Sequence, residues 1–183
     1  MEKKENRKIR YTKMVIRSSL MELMKSKSIL DVSIKDICEL ADISRTTFYA
    51  YYKDQYDLLR QIEEETFIYI ENIHGKFKEK NNKKDIIQML EETLTYIANN
   101  GDSTQVLLSE NGDASFQKKL FQHLINHNPL ANRLYENQYD NETMKYYSVY
   151  NVHGSIGLIQ HWLKNNMSIP IPQFARMMCN LFG

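Results

Sequence analysis

The sequence predicts an all-α protein, and three observations carry that reading. Apolar residues recur at spacings of three and four along most of the chain, the period of a helix with one buried face. No long apolar and polar alternation bounded by turn residues occurs, so strands are not expected. Proline is absent before Pro129, so nothing upstream breaks a helix through its missing amide.

Taken in order, Ile9, Met14, Ile16, Leu20, Leu23 and Met24 place a first helix over about Lys8 to Lys25. Its leading end carries Arg7, Lys8, Arg10 and Lys13, for which two readings stay open: contacts to phosphates, or solvation of a frayed end. The most informative stretch follows, SIKDICELADISRTTFYAYYKDQYDLL, residues 33–59. Ser33 caps a short helix with Asp36 at its third position, and Ile34, Ile37, Cys38 and Ala41 line one face. Asp42 ends it, because aspartate tolerates the left-handed backbone of a tight turn, and Ile43 plugs the space between two helices. Ser44 caps a second helix in which Phe48 and Tyr52 point inward while Arg45, Thr46, Tyr49 and Lys53 fall on the opposite face. Asp54 with Asp57 repeats the cap and opens a third helix through Leu58, Leu59 and Ile62, running to about Phe77. Helix, tight turn and helix in this order, with donors on the exposed face, are a helix-turn-helix.

This stretch resembles the amino-terminal DNA-binding module of the TetR family of bacterial transcriptional regulators, over roughly residues 8 to 60, with TTFYAYYKD as its specific part. The resemblance implies a recognition helix over Ser44 to Tyr51 and a phosphate contact from Tyr49. Residue chemistry and resemblance together assign Arg45 and Thr46 to base edges, and Ser33, Lys35, Ser44, Thr47, Tyr49, Tyr51, Lys53 and Gln55 mainly to positioning on the backbone. Two positions depart from the family pattern: Asp42 stands where glycine is common, and Gln55 where a lysine normally contacts phosphate. Losing one cation weakens affinity and flattens its salt dependence.

The 183 residues suffice for one or two domains with a hydrophobic core. The net charge is +1, but residues 1 to 60 hold thirteen Lys and Arg against nine Asp and Glu, whereas residues 61 to 183 hold eleven against fourteen. The basic end is the helix-turn-helix end, which fits a nucleic-acid partner once joined to that motif. The basic start leads into an amphipathic stretch, and no run of about eighteen apolar residues follows, so no membrane association and a cytoplasmic location are expected. Cys38 and Cys179 lie in no metal or redox spacing and are expected as reduced packing residues.

A DNA-binding domain is placed at residues 1–60 and a helical regulatory domain, for effector binding and dimerisation, at 61–183. The linking helix ends in the polar run Lys78 to Lys84. Further helices are expected at Asp85 to Asn99, Thr104 to Glu110 and Ala114 to Asn126, the last ending before Pro129. Phe67, Tyr69, Met89, Tyr96, Leu107, Phe121, Tyr147 and Tyr150, with Met144 and Tyr146, supply rings and adaptable thioethers that line either a pocket for a small hydrophobic or aromatic effector or an ordinary core.

Two amphipathic segments close the chain, from about Glu142 to Lys164 and from about Pro172 to Phe182. Gly154, Ser155 and Gly157 allow another helix to approach closely, and Trp162, Phe174, Met177, Met178 and Leu181 form apolar stripes. Read from residues alone, these helices form either an internal pair or an interface. The segment GSIGLIQHWLKNN is similar to the penultimate helix of many TetR-family regulatory domains, and that resemblance implies a homodimer with Gly154, Gly157, Trp162, Phe174 and Met178 at its interface. A two-fold arrangement sets recognition helices in major grooves roughly 34 Å apart.

No catalytic constellation is found. His123 and His127 are spaced by four but lack an HExxH pattern, His153 and His161 flank Trp162, and no nucleophile motif or phosphate loop occurs. No enzyme activity, metal or cofactor is expected. The sequence thus points to a DNA-binding transcriptional regulator, a ligand-responsive repressor that binds a near-palindromic operator as a dimer. The alternative is a helix-turn-helix adaptor or architectural protein controlled by a protein partner, without a small-molecule effector.

Overall fold

The structure, a computed structural model, describes residues 7–77, 82–126 and 140–181. Among them are nine α-helices, one short 3-10 helix and no strand. The chain divides into two packed units, the first built from residues up to Thr66 together with Asp102–Ala114, the second from Phe67–Gly101 and the residues after Ala114.

The first unit holds α1 (Arg7–Met24), a 3-10 turn (Ile29–Asp31), α2 (Ile34–Leu40), α3 (Arg45–Tyr49) and the first half of α4 (Gln55–Lys76). Its core is Ile16, Leu20, Met24, Ile37, Phe48 and Leu58, all shielded from solvent. α1 packs on α2, and α2 on α3. At about 25 cal/mol per Å², each such side chain contributes roughly 1.5–3 kcal/mol, which is how a helix as short as α3 persists. Most of α6 (Gly101–Leu107) belongs here too, with the residues after it up to Ala114, although the helix before it does not. Lys25 Nζ lies 2.9 Å from Asp102 Oδ1, and Asn111 Nδ2 donates to the Lys25 carbonyl at 3.4 Å.

The sequence predicts α6 three residues too late. It begins at Gly101 rather than Thr104 and ends at Leu107 rather than Glu110. The early end has a local cause: Ser109 Oγ donates to the Val106 carbonyl at 2.8 Å and accepts from the Asn111 amide at 3.1 Å, so a hydroxyl competes for a carbonyl in the helix's last turn.

The second unit holds the rest of α4, α5 (Lys83–Asn99), α7 (Ala114–Asn126), α8 (Asn141–Lys164) and α9 (Ile171–Leu181). Its core joins Phe77, Ile86, Leu94, Trp162, Leu163, Phe174, Ala175, Met178 and Cys179, with α9 lying against α5. Trp162 stacks on Phe174 with ring centroids 5.0 Å apart, while its indole N–H donates to the Ile169 carbonyl at 2.8 Å. Asn166 and Met167 adopt φ of 52° and 54°, and the Met167 amide reaches back to the Trp162 carbonyl at 2.8 Å, which closes α8 and turns the chain towards α9. Cys38 and Cys179 are both buried and free. His127, Pro129, Phe182 and part of the Lys78 to Lys84 run lie outside the described residues. None of the described helices is long and apolar enough to cross a membrane.

Candidate nucleic-acid interface

Three caps fix the interface. Ser33 forms a complete capping box: its hydroxyl accepts from the Asp36 amide at 3.1 Å, and the Asp36 carboxylate accepts from the Ser33 amide at 3.2 Å. Those bonds hold the Asp36 carboxyl below its ordinary pKa. Ser44 Oγ accepts from the Thr47 amide at 3.1 Å. Asp54 Oδ1 accepts from the Asp57 amide at 2.7 Å, and the Asp57 carboxylate accepts from the Lys53 amide at 3.0 Å, so both ends of the α3 to α4 turn are tied.

The turn between α2 and α3 is a Schellman motif. Asp42 sits at φ 50°, the Ile43 amide donates to the Cys38 carbonyl at 3.0 Å, and the Asp42 amide to the Glu39 carbonyl at 3.3 Å. Aspartate thus does the work for which glycine is common, and the helices are held as a glycine would hold them.

The underside of α3 is fixed by Phe48 and Tyr52, which are 0% and 2% exposed and whose ring centroids lie 5.8 Å apart. Arg45, Thr46 and Tyr49 consequently face solvent on the opposite side. An open groove beside them is lined by Leu30, Asp31, Val32, Ser33, Ile34, Lys35, Arg45, Tyr49 and Gln55, which brings the leading ends of α2, α3 and α4 together, with Asp31 as its one acidic side chain. Three helix amino termini at one groove set positive dipole ends there, which favours phosphate oxygens. Lys35 lies 3.6 Å from Glu39, a weak exposed pair that a phosphate can outcompete. Thr47 Oγ1 lies 3.0 Å from Ser44 Oγ, and the Lys13 ammonium sits 5.9 Å from the centre of the Tyr51 ring. Lys53 is exposed and Gln55 half-buried in the first turn of α4.

Leu30, which the sequence reading did not single out, lines the same groove and is 75% exposed. Its exposure follows from the 3-10 turn capped by Ser28, and nothing in the sequence separates it from a core leucine.

The family model described as a transcriptional regulator C-terminal region of the TetR type matches residues 84–183, more than half of the chain. The chain belongs to the TetR family of transcriptional regulators. Solved structures agree on the fold. The TetR transcriptional regulator of Streptococcus agalactiae is 19% identical, with 96% of each chain covered and a TM-score of 0.61. The transcriptional regulator FadR of Bacillus subtilis, solved in complex with stearoyl-CoA, is 15% identical over 92% of this chain and 96% of its own, with a TM-score of 0.65. The dihydroxyacetone kinase operon activator DhaS is 19% identical over 93% of both chains, with a TM-score of 0.52. No curated protein matches.

In this TetR-family regulator the aromatic residues expected around an effector are distributed unevenly. Tyr69 stacks on Tyr96 with centroids 3.8 Å apart, Phe67 meets His123 edge-on at 5.0 Å, and Phe121 meets His153 at 5.4 Å, all in the second unit. Tyr147 is half-buried and Tyr150 is 66% exposed. Met89 is in the core of the second unit, and Leu107 is buried in the first. Of the residues expected at a dimer interface, Trp162, Phe174 and Met178 lie in the regulator's own core. Gly157 is exposed, with open space where a Cβ would point, and Gly154 is half-buried. The outward face of α8 instead carries Tyr146, Val149, Tyr150 and His153. No group of three His, Cys, Asp or Glu side chains placed to hold a metal ion occurs among the described residues.

Proposed function

We propose that this TetR-family regulator is a ligand-responsive repressor that binds a near-palindromic operator as a homodimer. The observation that supports it best is the convergence of Arg45, Thr46 and Tyr49 on the exposed side of α3 with three capped helix starts around one groove. Arg45 and Thr46 read base edges, while Ser33, Lys35, Ser44, Thr47, Tyr49, Tyr51, Lys53 and Gln55 position the backbone. Residues 1–60 take the DNA and residues 61–183 carry regulation and pairing. Gly157 with the exposed stripe Tyr146, Val149, Tyr150 and His153 forms the face that meets the second copy, since their neighbours Trp162, Phe174 and Met178 are occupied within the chain. The effector is small and hydrophobic or aromatic, taken up among Phe67, Tyr69, Tyr96, Phe121 and Tyr147; the stearoyl-CoA complex of the Bacillus subtilis relative favours a fatty chemistry. Its binding shifts the population towards a form with wrongly spaced recognition helices.

Two substitutions on one operator test the assignment. Tyr49→Phe weakens every sequence about alike, by roughly 1 kcal/mol, whereas Arg45→Ala costs about 1–3 kcal/mol and relaxes preference at particular base pairs. Equal losses on all sequences for both variants overturn the division of roles, and derepression of a reporter when the chain is deleted checks the sign of regulation.

A further inference from the structure

The second unit contains a cluster of titratable side chains that DNA binding does not use. On α4, Phe67, Glu71 and His74 follow one another at spacings of four and three, and so share a face; on α7, Lys119 and His123 are four apart. The two faces meet. The His74 and His123 rings are nearly parallel, 14° apart in plane with centroids 5.9 Å apart. Glu71 Oε1 lies 3.8 Å from His123 Nδ1. Phe67 packs edge-on against the His123 ring at 5.0 Å, and the Lys119 ammonium stands 4.2 Å from the centre of the Phe67 ring.

At 3.8 Å the contact between Glu71 and His123 is too long to be a strong hydrogen bond from a neutral imidazole, yet it is within ion-pair reach once the imidazole is charged. Glu71 therefore favours a proton on His123, against the desolvation of a ring that is only 14% exposed. That proton opposes a second one on His74, whose ring is parallel to it, and the Lys119 ammonium beyond Phe67 opposes both. Glu71 and His74 from α4 lie directly against His123, and Lys119 from α7 reaches the Phe67 ring that packs on it. The arrangement favours a first proton and resists a second, so the two imidazoles titrate as a coupled pair.

We propose that Glu71, His74 and His123 form a one-proton latch between α4 and α7: uptake of a proton at mildly acidic pH converts the loose contact between Glu71 and His123 into an ion pair and tightens the two helices on each other. The sign is fixed by linkage. A histidine whose folded-state proton affinity is raised stabilises the folded contact below its ordinary pKa, and that contribution is lost as pH rises through the folded value. Because α4 is also the helix that begins at Gln55, the latch sits on the element shared by both units.

The test is proton NMR of the histidine ring resonances of the full chain from pH 5 to 8.5, assigned with His74→Phe and His123→Phe. The latch requires that the higher of the two midpoints belong to His123, that Glu71→Gln lower it by about one pH unit, a tenfold loss of proton affinity, and that 0.5 M salt lower it in the unaltered chain. Two independent midpoints at the ordinary histidine value, or a His123 midpoint indifferent to Glu71→Gln, overturn it. Since Glu71 is about half exposed, that variant is expected to fold; if it does not, the salt response of the unaltered chain decides alone.

Discussion

Arg17 on α1 grips Glu65 on α4 with both terminal guanidinium nitrogens, Nη1 to Oε2 at 2.7 Å and Nη2 to Oε1, across 48 residues of sequence. The same guanidinium lies beside the Tyr52 hydroxyl, whose pKa burial raises while Arg17 pulls it back. One side chain thus connects the scaffold helix, the end of the helix-turn-helix and the linking helix.

Removing that grip should loosen the DNA-binding unit. Glu65 is 59% exposed, so its share of the pair is discounted for solvent screening, and Glu65→Gln is expected to cost about 0.5 kcal/mol. Arg17→Ala also strips packing from the stem and leaves the buried Tyr52 hydroxyl without its neighbour, so about 1–2 kcal/mol is expected. Thermal melts of both variants check the order; equal, negligible shifts contradict it.

Glu63 carries a pH dependence with a defined sign. Burial, reinforced by the Asp113 carboxylate and opposed by Arg60, pushes Glu63 up to about 7 from an ordinary 4.5, and its buried Oε1 has no hydrogen-bond partner. The folded chain holds this proton more tightly than the unfolded one, so stability falls as pH rises from about 4.5 to 7 and is level above. Glu63→Gln should remove that fall and leave the variant about 2 kcal/mol more stable than the unaltered chain at pH 8, after discounting the full shift for partial exposure. Denaturant titrations at pH 5 and 8 measure it.

Asp42 occupies a left-handed backbone position that costs a non-glycine residue about 1 kcal/mol. Asp42→Gly is therefore expected to be neutral to stabilising by up to about 1 kcal/mol, because the gain in the folded state is offset partly by a freer unfolded chain. Asp42→Val should destabilise by more than 1 kcal/mol, roughly, since a β-branched side chain cannot relax there. Melting temperatures separate the two.

Gln55→Lys restores a cation in the first turn of α4. Repulsion from the helix dipole should cost up to about 0.5 kcal/mol of stability. DNA affinity should nevertheless rise on every sequence, and the slope of log affinity against log salt should steepen by about one. Affinity titrations at two salt concentrations read both.

The helix-turn-helix was legible because its determinants are local. Ser33, Ser44 and Asp54 act on amides three residues away, and Asp42 needs only its own backbone, so each could be read without knowing the fold. What escaped depends on distance in sequence. The pairing of Arg17 with Glu65, the docking of Asp102 and Asn111 at Lys25, and the meeting of His74 with His123 have no local signature. The same limit explains the apolar stripes of α8 and α9. Periodicity identified Trp162, Phe174 and Met178 as a buried face, but which surface buries them is decided by α5, on which α9 packs. The expected effector residues mix two kinds for a related reason, since Met89 and Leu107 are as apolar as Phe67 but lie inside the cores of different units.

Whether this regulator reads a specific two-fold DNA site is measured most directly by selection of random duplex DNA with the purified chain at physiological salt, followed by titration of the winning sequence. Enrichment of one near-palindrome is expected, its half-sites about one helical turn, or a multiple of it, apart, bound by two copies, and relaxed at particular base pairs by Arg45→Ala. Weak, salt-sensitive binding without any enriched sequence would contradict it.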